Sequence, residues 1–235
     1  MKRILFKVST FLALTVSVLA INWPNPVNAS RVSQVNGSAQ GSCRKGNGIL
    51  KTENRNVGIF TAVDVSGSYD VETVAQQPPS LTISGDANIL PQIITEVRGD
   101  TLFVYNRGCI SPKTTLKLKI ASRKIEEFSA SGANRIKIFS LNNQTFNLAQ
   151  SGGAQTEVFG KTTQLDITVT GAGTADAKKL YSQRATVEIS GAGLINVYAT
   201  EKLSASIVGS GVINYYGNPK TVTRNIIGVG SINKK

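Results

Sequence analysis

The chain has 235 residues, of which 40% are hydrophobic and 17% are charged, and its formal net charge is +12 at pH 7. This size and apolar content indicate one or at most two folded domains and exclude an intrinsically disordered chain. The sequence contains no histidine, which excludes serine-histidine-aspartate triads, the common histidine-containing zinc sites and a histidine proton shuttle. We therefore predict no catalytic residues, no metal ligands, no cofactor and no enzymatic activity.

Residues 1–29 have the features of a secretory signal peptide. Lys2, Arg3 and Lys7 precede an apolar run at residues 8–20, and a breaker-rich stretch then leads to a predicted cleavage site before Ser30. The run is too short to span a bilayer comfortably. We therefore predict an exported protein without a transmembrane anchor in its mature chain, located in the periplasm, on the cell surface or outside the cell.

The basic balance of the sequence persists after export. The signal peptide carries three positive charges and no acidic residue, so the formal charge of +12 becomes +9 in the mature chain. Such a charge attracts anionic partners, among them acidic polysaccharides and cell-envelope components. Lysines scattered for solubility also explain the charge, because there is no run of five like charges. Aromatic residues are sparse among the basic ones, and no specific nucleic-acid partner is predicted.

The segment that follows the signal peptide, residues 30–56, is predicted to be a flexible arm because it begins with many Ser, Gly, Asn and Gln residues. It contains Cys43, and the second cysteine is Cys109. In an oxidising compartment such a pair is expected to be bridged, with two free thiols as the alternative. A bridge would tether the arm and stabilise the fold by about 4 kcal/mol.

Residues 57–127 are predicted to form a strand-rich cap with one short helix. Period-two alternation of apolar residues marks strands at residues 63–73, 81–85, 102–105 and 116–120. Residues 88–97 instead have apolar side chains at helical spacing, with Asn88 as a candidate N-cap and Pro91 in the first turn.

From residue 128 onward, six successive segments share one pattern around a reference glycine. The reference glycines are Gly132, Gly152, Gly171, Gly191, Gly209 and Gly228. Their spacings of 20, 19, 20, 18 and 19 residues are too regular for chance. Apolar residues alternate with polar ones on both sides of each glycine, which indicates two short strands with one buried face each.

A single turn of this kind cannot cover its own apolar face, but turns stacked about 4.8 Å apart pair every strand and form one continuous core. We therefore predict an all-β fold, a parallel β-helix or β-solenoid with 18–20-residue turns over residues 128–235, forming one domain with residues 57–127. The glycines are interpreted as corners, where the backbone needs positive φ or a close approach. A nucleotide-binding loop would occur once, between a strand and a helix, whereas this pattern recurs.

The motifs resemble those of a known family. VDVSGS, LTISGDANILPQIITEVRGDTL and the last corners, GSGVINYYGNPK and GVGSINK, follow one another as in the bacterial head GIN domain, which is named for a Gly, Ile, Asn triplet. The resemblance covers residues 57–235 and implies a β-helical fold, an adhesin role and no catalytic residues. Three early turns depart from the triplet, because the position of its asparagine is occupied by Lys137, Glu157 and Asp176.

Two groups of charged residues have the chemistry of a site, and each has a simpler interpretation. Glu157 and Asp176 fall in one outward column on neighbouring turns, where they could share a cation or remain two solvated charges. Arg98, Gly99 and Asp100 spell an integrin-type tripeptide. They also lie between two predicted elements, where a tight turn favours glycine with polar neighbours, and we interpret them as a turn.

Aromatic residues suggest a third site. Tyr198, Tyr215 and Tyr216 fall on adjacent turns and could stack against sugar rings, whereas core packing of Tyr215 and ordinary surface positions for the others need no ligand. The ligand-binding residues therefore remain unassigned.

We predict an exported, non-enzymatic β-solenoid that acts as an adhesin or binds anionic envelope or extracellular polymers. One alternative is a self-assembling surface protein, a homo-oligomer in which the exposed edge of the last turn stacks on another copy. The other is an enzyme that resembles a polysaccharide lyase.

Overall fold

Seventeen strands and one 3-10 turn make up residues 42–235, the part of the chain that this computed structural model describes. The predicted signal peptide and the first residues of the predicted arm lie outside it. None of its helices is long and apolar enough to cross a membrane. The strands are β1 Arg44–Lys45, β2 Leu50–Arg55, β3 Ala62–Gly67, β4 Asp70–Ala75, β5 Ser80–Asp86, β6 Ile93–Arg98, β7 Thr101–Asn106, β8 Ile110–Ser111, β9 Lys117–Ser122, β10 Glu127–Gly132, β11 Arg135–Gly152, β12 Gln155–Gly171, β13 Thr174–Gly191, β14 Leu194–Gly209, β15 Val212–Tyr216, β16 Thr221–Gly228 and β17 Ser231–Lys234.

Strands β10 to β17 stack in parallel as the turns of a β-solenoid. The reference glycines pair from turn to turn, from Gly132 opposite Gly152 to Gly209 opposite Gly228. Each of β11 to β14 continues around most of a turn and bends a second time, where the pairing register shifts, for example between Ile138 and Leu141. We call this position the second bend. The predicted all-β solenoid with 18–20-residue turns is thereby confirmed, with about five turns.

One further turn joins the stack from a distant part of the sequence. Gly67 lies opposite Gly132 at the junction of β3 and β10, and β4 pairs with the start of β11. Residues 76–126 are inserted between this turn and the next one along the chain, yet the corner continues without a break because the same alternation precedes both glycines.

The core fills the solenoid along its whole length. Inward side chains form columns, and one column holds Phe146, Leu165, Ala185 and Leu203, all of them buried. Strand alternation places every second residue in such a column. The apolar residues two and four positions before the glycines from Gly132 to Gly209 are therefore packed against those of the neighbouring turns.

The N-terminal end of the stack differs from the prediction. The helix predicted over residues 88–97 is not formed: only Leu90–Gln92 makes a 3-10 turn, and β6 follows as a strand antiparallel to β7. Strand β6 contains four β-branched residues, and the free edge of β7 supplies backbone hydrogen bonds that a helix on its own would not receive. Asn88 caps no helix; its side chain instead binds the backbone of Lys45 and Asn47.

Residues 42–56 of the predicted flexible arm make long-range contacts. Strand β2 pairs antiparallel with β5, and β1 pairs with β8 next to a disulfide between Cys43 and Cys109. The buried carboxylate of Asp86 fixes the loop between β1 and β2 by accepting the N–H of Gly48 at 2.6 Å, and it accepts the N–H of Thr114 at 2.9 Å. Composition alone predicted disorder because these long-range contacts cannot be seen in a local window.

Replacing Asp86 with asparagine is expected to lower the free energy of unfolding at neutral pH and to make that free energy less dependent on pH. The backbone N–H of Thr114, with those of Gly48 and Lys113, holds the pKa of Asp86 below its ordinary value of 3.8. The pKa is lower in the folded chain, so this stabilisation is fully present above the ordinary pKa and is lost as the pH falls through the folded-state pKa. Urea midpoints of the two proteins should therefore converge in acid, and a difference that stays constant down to about pH 2 would contradict this account.

Candidate functional site

One outward column of side chains runs along the solenoid just after the second bend. Asn142, Lys161, Tyr181, Tyr198 and Tyr216 lie opposite one another on five successive turns. Paired strands stand about 4.8 Å apart, so the column places one polar or aromatic side chain at each step of a regular ladder.

The three tyrosines of this column lie on successive turns and form an aromatic strip. The ring centroids of Tyr181 and Tyr198 are 4.9 Å apart with the planes nearly perpendicular, and 59% of Tyr181 is exposed to solvent. Tyr198 and Tyr216 are half-buried. Tyr215, in contrast, is 3% exposed and lies in the core, where its hydroxyl accepts a hydrogen bond from Arg224. The strip therefore consists of Tyr181, Tyr198 and Tyr216.

An open groove of about 590 Å³ lies beside the strip, and we call it the tyrosine groove. Its floor is held by side chain to backbone hydrogen bonds: Thr162 donates to the carbonyl of Gln164 at 2.9 Å, and Ser182 donates to the carbonyl of Tyr198. The groove is lined by Lys124, Asn142, Asn143, Gln144, Lys161, Thr162, Thr163, Tyr181, Ser182, Gln183 and Thr200.

The groove is neutral to basic. Its lining includes two lysines, four side-chain amides and no carboxylate. Lys124 pairs with Glu126 at 2.5 Å, whereas Lys161 has no ion-pair partner among residues 42–235. Amides and hydroxyls can both donate and accept hydrogen bonds, and an exposed aromatic face can pack on an apolar ring. This combination suits a ligand with many hydroxyl groups and some negative charge.

A second aromatic cluster lies at the second bend itself. Phe139 and Phe159 stack with their ring centroids 5.0 Å apart and their planes 15° from parallel. The ammonium group of Lys179 lies 5.3 Å from the centroid of the Phe159 ring. Both rings are half-buried, so this cluster extends the aromatic surface next to the tyrosine strip.

Glu157 and Asp176 lie opposite each other on β12 and β13, and each is paired with a lysine. Glu157 is 3.6 Å from Lys137, and Asp176 is 3.1 Å from Lys178 and raises the pKa of that lysine. No group of three potential metal-binding side chains occurs within the described range. These contacts favour solvated ion pairs over a shared cation.

The tripeptide of Arg98, Gly99 and Asp100 forms the tight turn between β6 and β7. Gly99 has a φ of 62°, and the Asp100 carbonyl accepts the N–H of Ala62 at 3.0 Å. The Arg98 guanidinium binds Glu96 at 2.6 Å. The turn interpretation of this tripeptide therefore accounts for all three residues.

A family model described as "putative auto-transporter adhesin, head GIN domain" matches residues 59–219. This range contains the complete tyrosine groove. The chain belongs to the head GIN domain family. The family indicates exposure at the cell surface or outside the cell, and its description names no enzymatic activity. No curated protein matches the sequence.

Crystal structures of other proteins share the fold of this head GIN domain. A "putative adhesin" from Bacteroides fragilis is 21% identical and aligns with a TM-score of 0.66, covering 81% of this chain and 99% of that one. A "putative adhesin" from Parabacteroides merdae is 24% identical with a TM-score of 0.57, and a "putative lipid binding protein" from Parabacteroides distasonis is 24% identical with a TM-score of 0.58. Each of these two covers 81% of this chain and 98% of its own. At these identities the likeness concerns the fold alone.

The sequence did not place Tyr181 and Lys161 in the same outward column as Tyr198 and Tyr216. Tyr181 and Tyr198 are 17 residues apart, whereas the corner glycines that precede them, Gly171 and Gly191, are 20 residues apart. The difference arises because the pairing register shifts between Ala177 and Tyr181. Counting from the glycines therefore assigns the tyrosines to different columns. An aromatic residue in each of three consecutive turns was the signal that could have identified this column in the head GIN domain.

Proposed function

We propose that this protein is an exported adhesin whose tyrosine groove binds a repeating anionic polysaccharide along the solenoid axis. The observation that carries the proposal is the column of Lys161, Tyr181, Tyr198 and Tyr216, one residue per turn, beside side-chain amides and without a carboxylate in the groove. The head GIN family membership supports the adhesin part.

The chemistry of the groove matches that of a polysaccharide. Sugar rings present apolar faces that pack on Tyr181 and Tyr198, and their hydroxyls exchange hydrogen bonds with Asn142 and Gln183. A regular stack of turns presents polar and aromatic side chains at equal intervals, so a polymer with a repeating unit can make contacts on several turns at once. A negative charge on the sugar would find Lys161, which no carboxylate of the described residues neutralises.

Replacing Tyr181 with alanine is expected to weaken binding to immobilised polygalacturonate about tenfold, equivalent to about 1.4 kcal/mol. The ring is the most exposed part of the strip, and its loss removes stacking area without disturbing the core. Thr168→Ala, at an exposed position on another face, is the matched control and should bind like the native protein. Equal binding of both variants would argue against the groove as the site.

Changing Lys161 to glutamate is expected to weaken the same binding more at low salt than at high salt, since the attraction between exposed charges is screened. Lys45→Glu makes the same change in net charge outside the groove and controls for the overall positive charge. Dextran, which is neutral, should bind more weakly than polygalacturonate. Identical losses for the two lysine variants would reject a charge-specific groove, and equal binding of the two polymers would reject the anionic preference.

A further inference from the structure

Both ends of the solenoid finish in strands with one unpaired edge. In the described chain β16 pairs only with β14, and β17 only with β15, at the C-terminal end. At the other end β6 pairs only with β7, and β2 only with β5. Such edges present free backbone N–H and C=O groups to any strand that can align with them.

The exposed large apolar side chains are concentrated at these ends. Among residues 42–235, Tyr181 in the groove is the single exception on the sides of the solenoid. The last two turns expose the apolar side chains of Val208, Ile226, Ile227 and Val229. Residues 49–59 expose those of Ile49, Leu50 and Ile59. Solvent-exposed apolar groups gathered at two opposite surfaces are typical of protein contacts rather than of a free surface.

One outward column changes from polar to apolar residues toward the C-terminal end of the solenoid. The position before the corner glycine holds a serine or threonine on four successive turns, Ser131, Ser151, Thr170 and Ser190. It then becomes Val208 and, on the last turn, Ile227, which is 60% exposed. The core does not require this change because the column points outward.

The pairing registers show what would meet if a second copy continued the stack. Following each column from turn to turn through the molecule, Asn233 at the C-terminal end corresponds to Asn54 on β2, and Ile227 corresponds to Ile94 on β6. Continuing the count by two residues beyond the registered column of Ser231 and Thr52 brings Val229, 86% exposed, opposite Leu50, 66% exposed. Ile227 and Val229 thus each meet an apolar residue, whereas Ile232 falls opposite Glu53. In this arrangement β16 runs antiparallel to β6 and β17 runs parallel to β2.

The amide groups at the two ends are also complementary. Asn214 donates to Asn196 at 3.0 Å and Asn233 donates to Asn214 at 3.4 Å, which leaves the side-chain oxygen of Asn233 as an acceptor at the open end. At the other end of the same column Asn54 accepts a hydrogen bond from Thr82 through its oxygen at 2.9 Å, and its NH2 group can act as a donor. A stacked copy would continue the ladder.

Charge distinguishes two ways in which copies could meet. In head-to-tail contact a C-terminal end meets an N-terminal end, and in head-to-head contact two C-terminal ends meet. No acidic residue follows Glu201, so two C-terminal ends would bring together only positive side chains, among them Arg224 and Lys234. The N-terminal end includes Glu53 and Glu96, and Glu96 falls in the column of Asn225, next to Arg224. Both carboxylates are already paired with basic residues of their own strands, and Lys234 falls opposite Arg55 in the stack. Head-to-tail stacking therefore reduces the repulsion between like charges relative to contact between two C-terminal ends, and it does not remove that repulsion.

We propose that this protein associates with a second copy of itself head to tail, the last turn of one copy continuing into the first strands of the next. The contact is heterologous, so it leaves a free end on each side and can extend beyond two copies. The sides of the solenoid, with the tyrosine groove, stay accessible in such a stack.

The test measures the molar mass of the purified protein by multi-angle light scattering while the protein concentration is raised. The native protein should form dimers and then longer species. Val229→Lys and Leu50→Glu should each be monomeric, because each disables one end. Mixing these two variants should restore at least a dimer, in which the unaltered C-terminal end of one meets the unaltered N-terminal end of the other. Ala172→Lys introduces the same charge at the equivalent exposed corner position of a middle turn and should assemble like the native protein.

A native protein that stays monomeric overturns the proposal, as does loss of assembly in Ala172→Lys. Dimers of Leu50→Glu alone would reveal head-to-head contact and would also overturn it. Monomeric Val229→Lys should still bind polygalacturonate with lower avidity, so loss of assembly and loss of glycan binding are separate results.

Discussion

Replacing both Cys43 and Cys109 with serine is expected to lower the free energy of unfolding by about 4 kcal/mol. The bridge closes a loop over a sequence separation of 66 residues, and without it the unfolded chain regains the corresponding conformational freedom. Both cysteines are exposed and sit beside the short β1–β8 pair, which alone contributes little to hold the segment before β2. Urea denaturation of the native and double-serine proteins measures the difference.

Reduction of the disulfide provides the control. Dithiothreitol should shift the urea midpoint of the native protein to that of the double-serine variant and should leave that variant unchanged. If only residues 43–55 detach, limited proteolysis should cut there first while the solenoid remains folded. A reduced native protein with an unchanged midpoint and unchanged proteolysis would show that the bridge does not stabilise this fold.

Replacing Gly191 with alanine is expected to cost about 3 kcal/mol. Gly191 has a φ of 130°, a conformation that residues with a side chain rarely adopt, and a β-carbon there would lie 2.5 Å from the carbonyl oxygen of Gly171 on the turn below. Because the obstacle is backbone and not a flexible side chain, the two turns would have to separate. The stability of the variant in urea gives the measurement.

Gly153 is the matched control for this substitution. It is also next to a corner glycine, but its φ lies outside the left-handed region and no atom would come within 4 Å of an added β-carbon. Gly153→Ala should therefore be neutral or raise stability by about 0.5 kcal/mol, because alanine restricts the unfolded chain. Equal costs at both positions would mean that the loss of a glycine, and not its place at a corner, causes the destabilisation.

Helical and strand signals coincided at β6, and the sequence could not separate them. Ile93, Ile94 and Val97 fit a helical face, yet Ile93, Thr95 and Val97 also alternate as in a strand. The outcome depends on β7, whose edge lies beside the segment only in the folded chain. The same holds for residues 42–56, where Asp86 and Cys109 supply partners from far along the sequence.

The sequence by itself determined the solenoid and the pairing of its turns. The glycine spacing predicted which residues lie opposite each other at the corners, because a parallel stack with one glycine per corner leaves no freedom to shift a turn without exposing its apolar column. Family membership was likewise visible in the order of the motifs.

Only the tertiary structure decided which residues share a column away from the corners and what the two ends present. Register shifts at the second bend bring Lys161 and Tyr181 into one outward column, and the insertion of residues 76–126 places β2 and β6 at the end of the stack. The register shifts and the position of the inserted strands both depend on the number of residues in each bend. That number is set by packing between turns, and local sequence does not encode it.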